Sequence, residues 1–272
     1  MRADLHIHTS FSDGVFSVQN IIQMAKDKGL QIIAITDHDE ITGAIEAKKY
    51  EDESLRIITA LELSTEYNDE SIHILGYFNQ IKDLDSFDNF LKKQRERRFE
   101  RAYKIKEKLL EHFNIDLNMD FSKSVSSITR GTIAQEIIKQ GFPYSKKEIF
   151  EKMIGNDCPA YFPSTKANPK FGIKLIHEHG GLAVLAHPVL INKSPVREII
   201  EFGVDGIEAI YPANNIEDTK KLRRLAREYG IFVTAGSDFH SLDDYKHGNI
   251  GEYYLKNKEL EIFLNKLTEV KK

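Results

Sequence analysis

One cysteine, Cys158, stands in a chain of 272 residues. No internal disulfide can form, which fits a reducing compartment, and a cysteine-rich zinc site is excluded. Long apolar runs are missing too. None approaches the ~18 consecutive residues that a membrane-spanning helix needs. The opening residues, Met1-Arg2-Ala3-Asp4-Leu5-His6, are charged and lack the apolar stretch of a secretory signal. The expectation is a cytoplasmic protein with no membrane partner. Nor does one charge dominate: 38 Lys and Arg against 42 Asp and Glu give −4 with neutral histidine. That balance supplies no global field to draw the chain onto nucleic acid or anionic lipid. Repeats and low-complexity segments are absent. What is present suffices for a large core, 41% hydrophobic residues, at a length that β/α barrels reach as one domain.

The hydrophobic pattern predicts seven strands, over 3–8, 31–36, 55–61, 72–77, 182–186, 206–210 and 231–235. Ser17 is a candidate N-cap for a helix with Val18, Ile21, Ile22 and Ala25 on one face, and Gly29 a candidate stop. Helical patterns over 171–179, 195–202 and 217–229 separate the later strands. Strands alternating with helices predict an α/β fold with a parallel sheet, and seven strands suit a distorted barrel. Residues 84–165 break the alternation with helices near 85–112, 130–140 and 146–154. The expected organisation is a barrel from 1–83 and 166–272, with 84–165 as a helical insertion covering the substrate. Pro159, Pro163 and Pro169 punctuate its exit.

Histidines and acids fall where such a barrel does chemistry. His6 and His8 are two apart on one strand, so their side chains share a face. Asp13 lies in the loop that follows. His38 follows the second strand, Glu62 the third, and His73 begins the fourth. His187 follows the fifth strand, and Asp238 and His240 the last. Most of these positions are C-terminal strand ends, the face where β/α barrels build active sites. The other histidines, His112, His177, His179 and His247, are read as lying away from it. Any single histidine is readily a satisfied core residue; the joint placement is not. Imidazole and carboxylate suit Zn²⁺, Mn²⁺ or Fe²⁺, and this many donors at ~4–5 per ion imply two or three ions. Closely spaced ions generate a hydroxide nucleophile from water and neutralise charge on a phosphoryl group.

The stretches Asp4-Leu5-His6-Ile7-His8-Thr9, Ser12-Asp13-Gly14, Ile35-Thr36-Asp37-His38-Asp39, Glu62, Ala186-His187-Pro188 and Gly236-Ser237-Asp238-Phe239-His240 resemble the PHP family, named for polymerase and histidinol phosphatase. The resemblance implies a distorted seven-stranded β/α barrel with a trinuclear site and phosphoesterase activity. It implies that His6, His8, Glu62 and Asp238 hold one ion. Glu62 would bridge to a second ion held with His73 and His187, and Asp13, His38 and His240 would hold the third. Asp238, His240 and His187 are the expected catalytic residues. Thr129-Arg130-Gly131-Thr132-Ile133-Ala134, Gly141-Phe142 and Pro159-Ala160-Tyr161 resemble the stand-alone subgroup. Some of its members remove the 3′-phosphate from nucleoside 3′,5′-bisphosphates, and some trim short RNA from the 5′ end. In that subgroup an arginine at the position of Arg130 binds phosphate. The chain departs from it at Thr132 and at Tyr211-Pro212-Ala213-Asn214-Asn215, where histidines are usual.

The leading expectation is therefore hydrolysis of a phosphomonoester on a nucleotide-like substrate. Histidinol phosphate hydrolysis, exonuclease action on short oligonucleotides and a non-catalytic metal-stabilised binding module are the alternatives. The basic run over 92–108 reads first as a solvated helix face, with pairs such as Glu100–Lys104, and second as a wall for a polyanion. Asp37 is read as an acceptor for the His38 ring or a turn cap, Ser237 as structural, and Cys158 as packing.

Overall fold

Side-chain alternation sets the first element. In β1 (Arg2–Ile7), Ala3, Leu5 and Ile7 share one face, while Asp4 and His6 share the other with His8 just beyond. Ser17 caps α1 (Val18–Asp27) by accepting from the Asn20 amide, and Val18, Ile21, Ile22 and Ala25 form its buried stripe. β2 (Ile32–Ile35), α2 (Thr42–Lys48) and β3 (Arg56–Tyr67) follow, with β2 parallel to both β1 and β3. β4 (Glu70–Phe78) folds back on β3 through Asn68 and Asp69, at φ 50° and 54°. Asn and Asp tolerate this left-handed backbone, which turns two strands with the twist a hairpin needs. A helical stretch comes next: α3 (Leu84–Phe113), α4 (Arg130–Lys139) and α5 (Lys146–Ile149), the last continued by a π turn over Phe150–Ile154. The barrel then resumes with α6 (Pro169–Glu178), β5 (Gly181–Leu185), α7 (Val196–Ile200), β6 (Gly206–Ile210) and α8 (Ile216–Tyr229). It ends with β7 (Phe232–Ala235), β8 (Leu255–Lys256) and α9 (Asn257–Glu269). The structure, a computed structural model, describes residues 1–123, 128–163, 166–244 and 246–270.

The sheet order is β7-β6-β5-β4-β3-β2-β1-β8. Two neighbours share the outer edge of β1. β8 pairs antiparallel with Arg2 and Ala3. At the other end Ile7 bridges to Phe239, the Asp238 amide donates to the His6 carbonyl at 2.8 Å, and the His8 amide donates to Phe239 at 2.9 Å. The segment after β7 thereby nearly closes the sheet into a barrel, and it brings Asp238 alongside His6.

All seven predicted strands form, but the sheet is not all parallel. β4 runs antiparallel to β3 and to β5. A parallel pair needs a long crossover, and two residues between β3 and β4 permit only a hairpin. β3 also runs on to Tyr67, so Glu62 lies inside that strand rather than after it. β8, two residues long, is too short to show a period.

The chain divides into two compact units, Met1–Asn89 with Lys166–Lys272, and Phe90–Thr165. The boundary falls inside α3, past the expected 84, and residue 165 lies outside the described residues. The second unit has its own core, in which Leu109, Ile115, Leu117, Ile133, Ile137, Ile149 and Ile154 are buried. On α3, Lys104 pairs with Glu107 rather than Glu100, Lys106 pairs with Asp116, and Arg101 donates twice to the Phe162 carbonyl. Cys158 lies within hydrogen-bonding reach of the Phe150 and Glu151 carbonyls. Among the described residues, no helix is long and apolar enough to cross a membrane.

Closure of the barrel demands close backbone approach at Gly236. A Cβ there would lie 2.1 Å from His6 Cβ and 2.7 Å from the His6 amide nitrogen. Gly236→Ala must displace β1, at a cost of ~1–3 kcal/mol for overpacking. Thermal denaturation should show a lower midpoint, and elemental analysis a reduced metal content.

Candidate metal centre

Glu62 is the middle of the site. It is 1% exposed, and each of its oxygens faces separate imidazoles. Oε2 lies 3.3 Å from His6 Nε2, 3.2 Å from His8 Nε2 and 3.2 Å from His38 Nδ1. Oε1 lies 2.9 Å from His73 Nδ1 and 3.0 Å from His187 Nε2. A carboxylate split in this way can bridge two cations. The antiparallel course of β4 explains why His73 belongs here although it begins its strand: the start of β4 lies where the parallel strands end, and His73 faces Ser64 across the ladder.

Asp238 completes the first group. Its Oδ1 lies 3.2 Å from His6 Nε2 and 3.1 Å from His8 Nε2. Its other oxygen accepts from Tyr211 Oη at 2.9 Å. Asp13 approaches His8 Nδ1 at 3.5 Å, His240 Nε2 at 3.3 Å and His38 Nε2 at 3.7 Å. Ligand atoms of His6, His8, Glu62 and Asp238 lie within 4.8 Å of one another, as do those of His8, Asp13, His38 and His240, and of His38, Glu62 and His73. All nine residues predicted from the sequence thus meet in one cluster of overlapping groups.

The donor set fits cations. His6 Nε2, His8 Nε2 and Asp238 Oδ1 are buried and have no hydrogen-bond partner. Three such atoms side by side, two nitrogens and a carboxylate oxygen, are expensive unless an ion meets them. Surrounding groups aim them. Glu208 Oε1 lies 3.0 Å from His6 Nδ1, and its Oε2 accepts from the His187 amide at 2.8 Å. A proton held on His6 Nδ1 by that carboxylate leaves the Nε2 lone pair for a metal. Asp37 serves the first loop rather than the His38 ring: it accepts from the Thr9 amide and hydroxyl, and from Ser12. Ser237 is structural, donating its amide to buried Asp4. Two residues of the set hold strained backbone, Asp238 at φ 53° and His187 at φ 28°. Left-handed conformations cost such residues of order 1–3 kcal/mol, which the surrounding bonds must offset.

Titration reflects the crowding. Burial alone pulls His6 down, but Asp238, Glu208 and Glu62 outweigh it and hold the ring well above its ordinary value. His8 is likewise lowered by burial and raised more by Asp238, Glu62 and Asp13, to about 10. His38, where burial wins over Glu62 and Asp13, falls to about 3. Burial raises Glu62 and Asp238, yet the neighbouring imidazoles bring both well below the usual carboxylate range.

Three participants escaped sequence reasoning. His247, placed away from the site by its loop position, stacks on His240 at 4.4 Å and lies 3.5 Å from Asp238 Oδ2. Glu208, 0% exposed, is hidden in the strand run Gly-Ile-Glu-Ala-Ile, where a single charged residue among apolar ones was the available signal. Tyr211, noted only as a departure, holds Asp238. Arg130 belongs to the second unit, where it donates to Asn156 Oδ1 at 2.9 Å and lies over the Tyr161 ring at 5.6 Å. Thr129 and Thr132 form a capping box at the start of α4.

A barrel with this many converging imidazoles and acids at one rim is the frame of a metal-dependent phosphoesterase. The PHP domain model matches residues 4–154, and the chain belongs to that family. A protein of Haemophilus influenzae named 5′-3′ exoribonuclease is 31% identical over 88% of this chain and 90% of its own length. The 5′-3′ exoribonuclease Rnm of Escherichia coli is 30% identical over 87% and 84%. The 3′,5′-nucleoside bisphosphate phosphatase of Chromobacterium violaceum is 27% identical over 88% and 87%. Among solved structures, a protein of Bifidobacterium adolescentis described as a metal-dependent phosphoesterase shares the fold. Its TM-score is 0.75 at 24% identity, over 97% of this chain and 95% of the other.

Two outcomes follow from the geometry. Glu208→Gln removes the charge that orients His6, and should weaken metal affinity by ~10–100-fold, measured by equilibrium dialysis. For pH, His8 titrates near 10 in the folded metal-free chain against 6.5 unfolded. Its contribution to stability is complete below pH 6.5 and is lost as pH rises through 10. A cation must displace that proton, so metal affinity rises over the same window. Melting temperatures of metal-free and Mn²⁺-loaded protein should therefore diverge from pH 6.5 to 10.

Proposed function

We propose that this metal-dependent phosphoesterase hydrolyses a phosphomonoester of a nucleotide-like substrate, such as the 3′-phosphate of a nucleoside 3′,5′-bisphosphate. The observation that carries the reading is the split Glu62 carboxylate, with His6, His8 and His38 on one oxygen and His73 and His187 on the other. It supports a site for at least two divalent ions, Mn²⁺, Fe²⁺ or Zn²⁺. In this reading His6, His8, Glu62 and Asp238 hold one ion, Glu62, His73 and His187 a second, and Asp13, His38 and His240 a third. Bound there, divalent ions acidify water and screen the charge of a phosphoryl group.

The chain's own residues do the rest. Glu208 fixes the His6 ring and the backbone of His187. Tyr211 Oη holds the outer oxygen of Asp238, so that Oδ1 keeps its direction. His187 and His240 are each about one-eighth exposed, whereas His6 and His8 are sealed. We assign to these two open imidazoles, with Asp238, a catalytic role as the holders of the ions that face the reacting phosphoryl group. Arg130 is assigned a substrate phosphate, which a guanidinium grips with paired hydrogen bonds.

A second reading is 5′-3′ exonuclease action on short oligonucleotides. It is favoured by the relatives of that name, at 31% and 30% identity against 27% for the bisphosphate phosphatase. Metal-reconstituted protein should be offered adenosine 3′,5′-bisphosphate, histidinol phosphate, sugar phosphates and 5′-phosphorylated oligoribonucleotides. Release of inorganic phosphate, fastest from the bisphosphate, supports the first reading; release of mononucleotides from RNA supports the second. Asp238→Ala should abolish either activity. Full turnover by that variant with its metals intact would sink the assignment.

A further inference from the structure

Lys166 is outside the donor set, yet it reaches the set through one intermediary. Its Nζ donates to Ser71 Oγ at 2.6 Å, and Ser71 Oγ lies 3.1 Å from His73 Nε2. The other nitrogen of that ring, Nδ1, lies 2.9 Å from Glu62 Oε1. Lys166 is half-buried, and the backbone that follows it is fixed. Ala167 bridges to Thr65 and accepts from the Glu66 amide at 2.9 Å, which ties the segment to the extended end of β3. Asn168 then caps α6, with Pro169 in its first turn.

Hydrogen-bond accounting gives the polarity of the chain. A neutral imidazole that offers Nδ1 to a cation carries its proton on Nε2. Nε2–H then donates to Ser71 Oγ, as Lys166 already does. A serine hydroxyl accepts two bonds and donates one. With both acceptor positions taken, the Ser71 O–H remains to donate. The result is an ammonium and a hydroxyl side by side, two donors suited to a phosphate oxygen. They lie on the side of His73 away from Glu62, separated from it by the width of the ring. Their reach therefore falls beyond a phosphoryl group held at Glu62.

We propose that Lys166 and Ser71 bind a second phosphate of the substrate, one that is not hydrolysed. This rests on the phosphoesterase reading above and adds to it a determinant for substrates carrying two phosphates. The same chemistry serves the second phosphate of a nucleoside bisphosphate and the next phosphate along a ribonucleotide chain.

The test uses metal-loaded wild type, Lys166→Met, Lys166→Arg and Ser71→Ala. The probes are adenosine 3′,5′-bisphosphate, adenosine 3′-monophosphate, and the product adenosine 5′-monophosphate, which keeps the second phosphate. Lys166→Met should raise the calorimetric Kd for adenosine 5′-monophosphate about tenfold or more, the scale of a charge-assisted hydrogen bond. The preference in KM for the bisphosphate over the 3′-monophosphate should collapse, while metal content is unchanged. Lys166→Arg should restore most of the affinity, and Ser71→Ala should show a smaller loss. A Kd within twofold of wild type in Lys166→Met would overturn the proposal. So would affinity lost in step with metal content, which would make Lys166 a support for His73 alone. If the wild type released no phosphate from either probe, the phosphomonoester reading would fall, and the Kd difference would still decide the role of Lys166.

Discussion

A buried carboxylate surrounded by imidazole nitrogens is the constraint on which the rest depends. Glu62 lies inside β3, sealed from water, with five histidine rings at its two oxygens. Taking such a charge out of water costs several kcal/mol unless positive charge meets it. Lone pairs of neutral imidazoles do not supply that charge. Protons or cations must, and the shifts at His6 and His8 are the protonic answer of the metal-free chain. Metal ions are the functional answer, because three of the buried donor atoms lack a hydrogen-bond partner without them.

Much of the surrounding architecture follows from keeping that cluster in place. Glu208 steers the His6 ring and the backbone of His187, from the centre of β6. Asp37 gathers Thr9 and Ser12 so that the loop after β1 keeps its shape beside His8. Asp4, pushed up to about 6 by burial despite the backbone amides of Gly251 and Ser237, ties the closing segment to the first strand. Left-handed backbone at Asp238 and His187 is the local cost of pointing these side chains inward. The closing bonds from Asp238 to His6 and from His8 to Phe239 therefore do two tasks at once, completing the barrel and gathering the cluster of imidazoles and acids.

The legible parts of the sequence were those with a local period or a local chemical signature. Strands β1 to β7 showed apolar runs, α1 and α8 showed amphipathic stripes, and His-x-His on a strand declared a shared face. The direction of β4 was less visible, because residues 62–71 carry neither a helix pattern nor an Asn-Gly turn. The active hairpin residues, Asn68 and Asp69, are turn formers that also occur in loops. His247 was misplaced for a related reason: a loop histidine has no period, and its partner Asp244 reveals nothing until the loop is folded.

By itself the sequence determined which chemistry was available, an assembly of imidazoles and acids at strand ends, and the class of fold able to collect them. Residue type and periodicity suffice for that, because ligand chemistry belongs to the side chain and facing belongs to the strand. Tertiary structure alone decided how the donors divide. Only the closed sheet sets which Glu62 oxygen meets which histidine, brings Glu208 behind His6, and carries Lys166 to Ser71. Those relations join residues far apart in the chain, and no local pattern encodes a distance that only the packing of the whole barrel fixes.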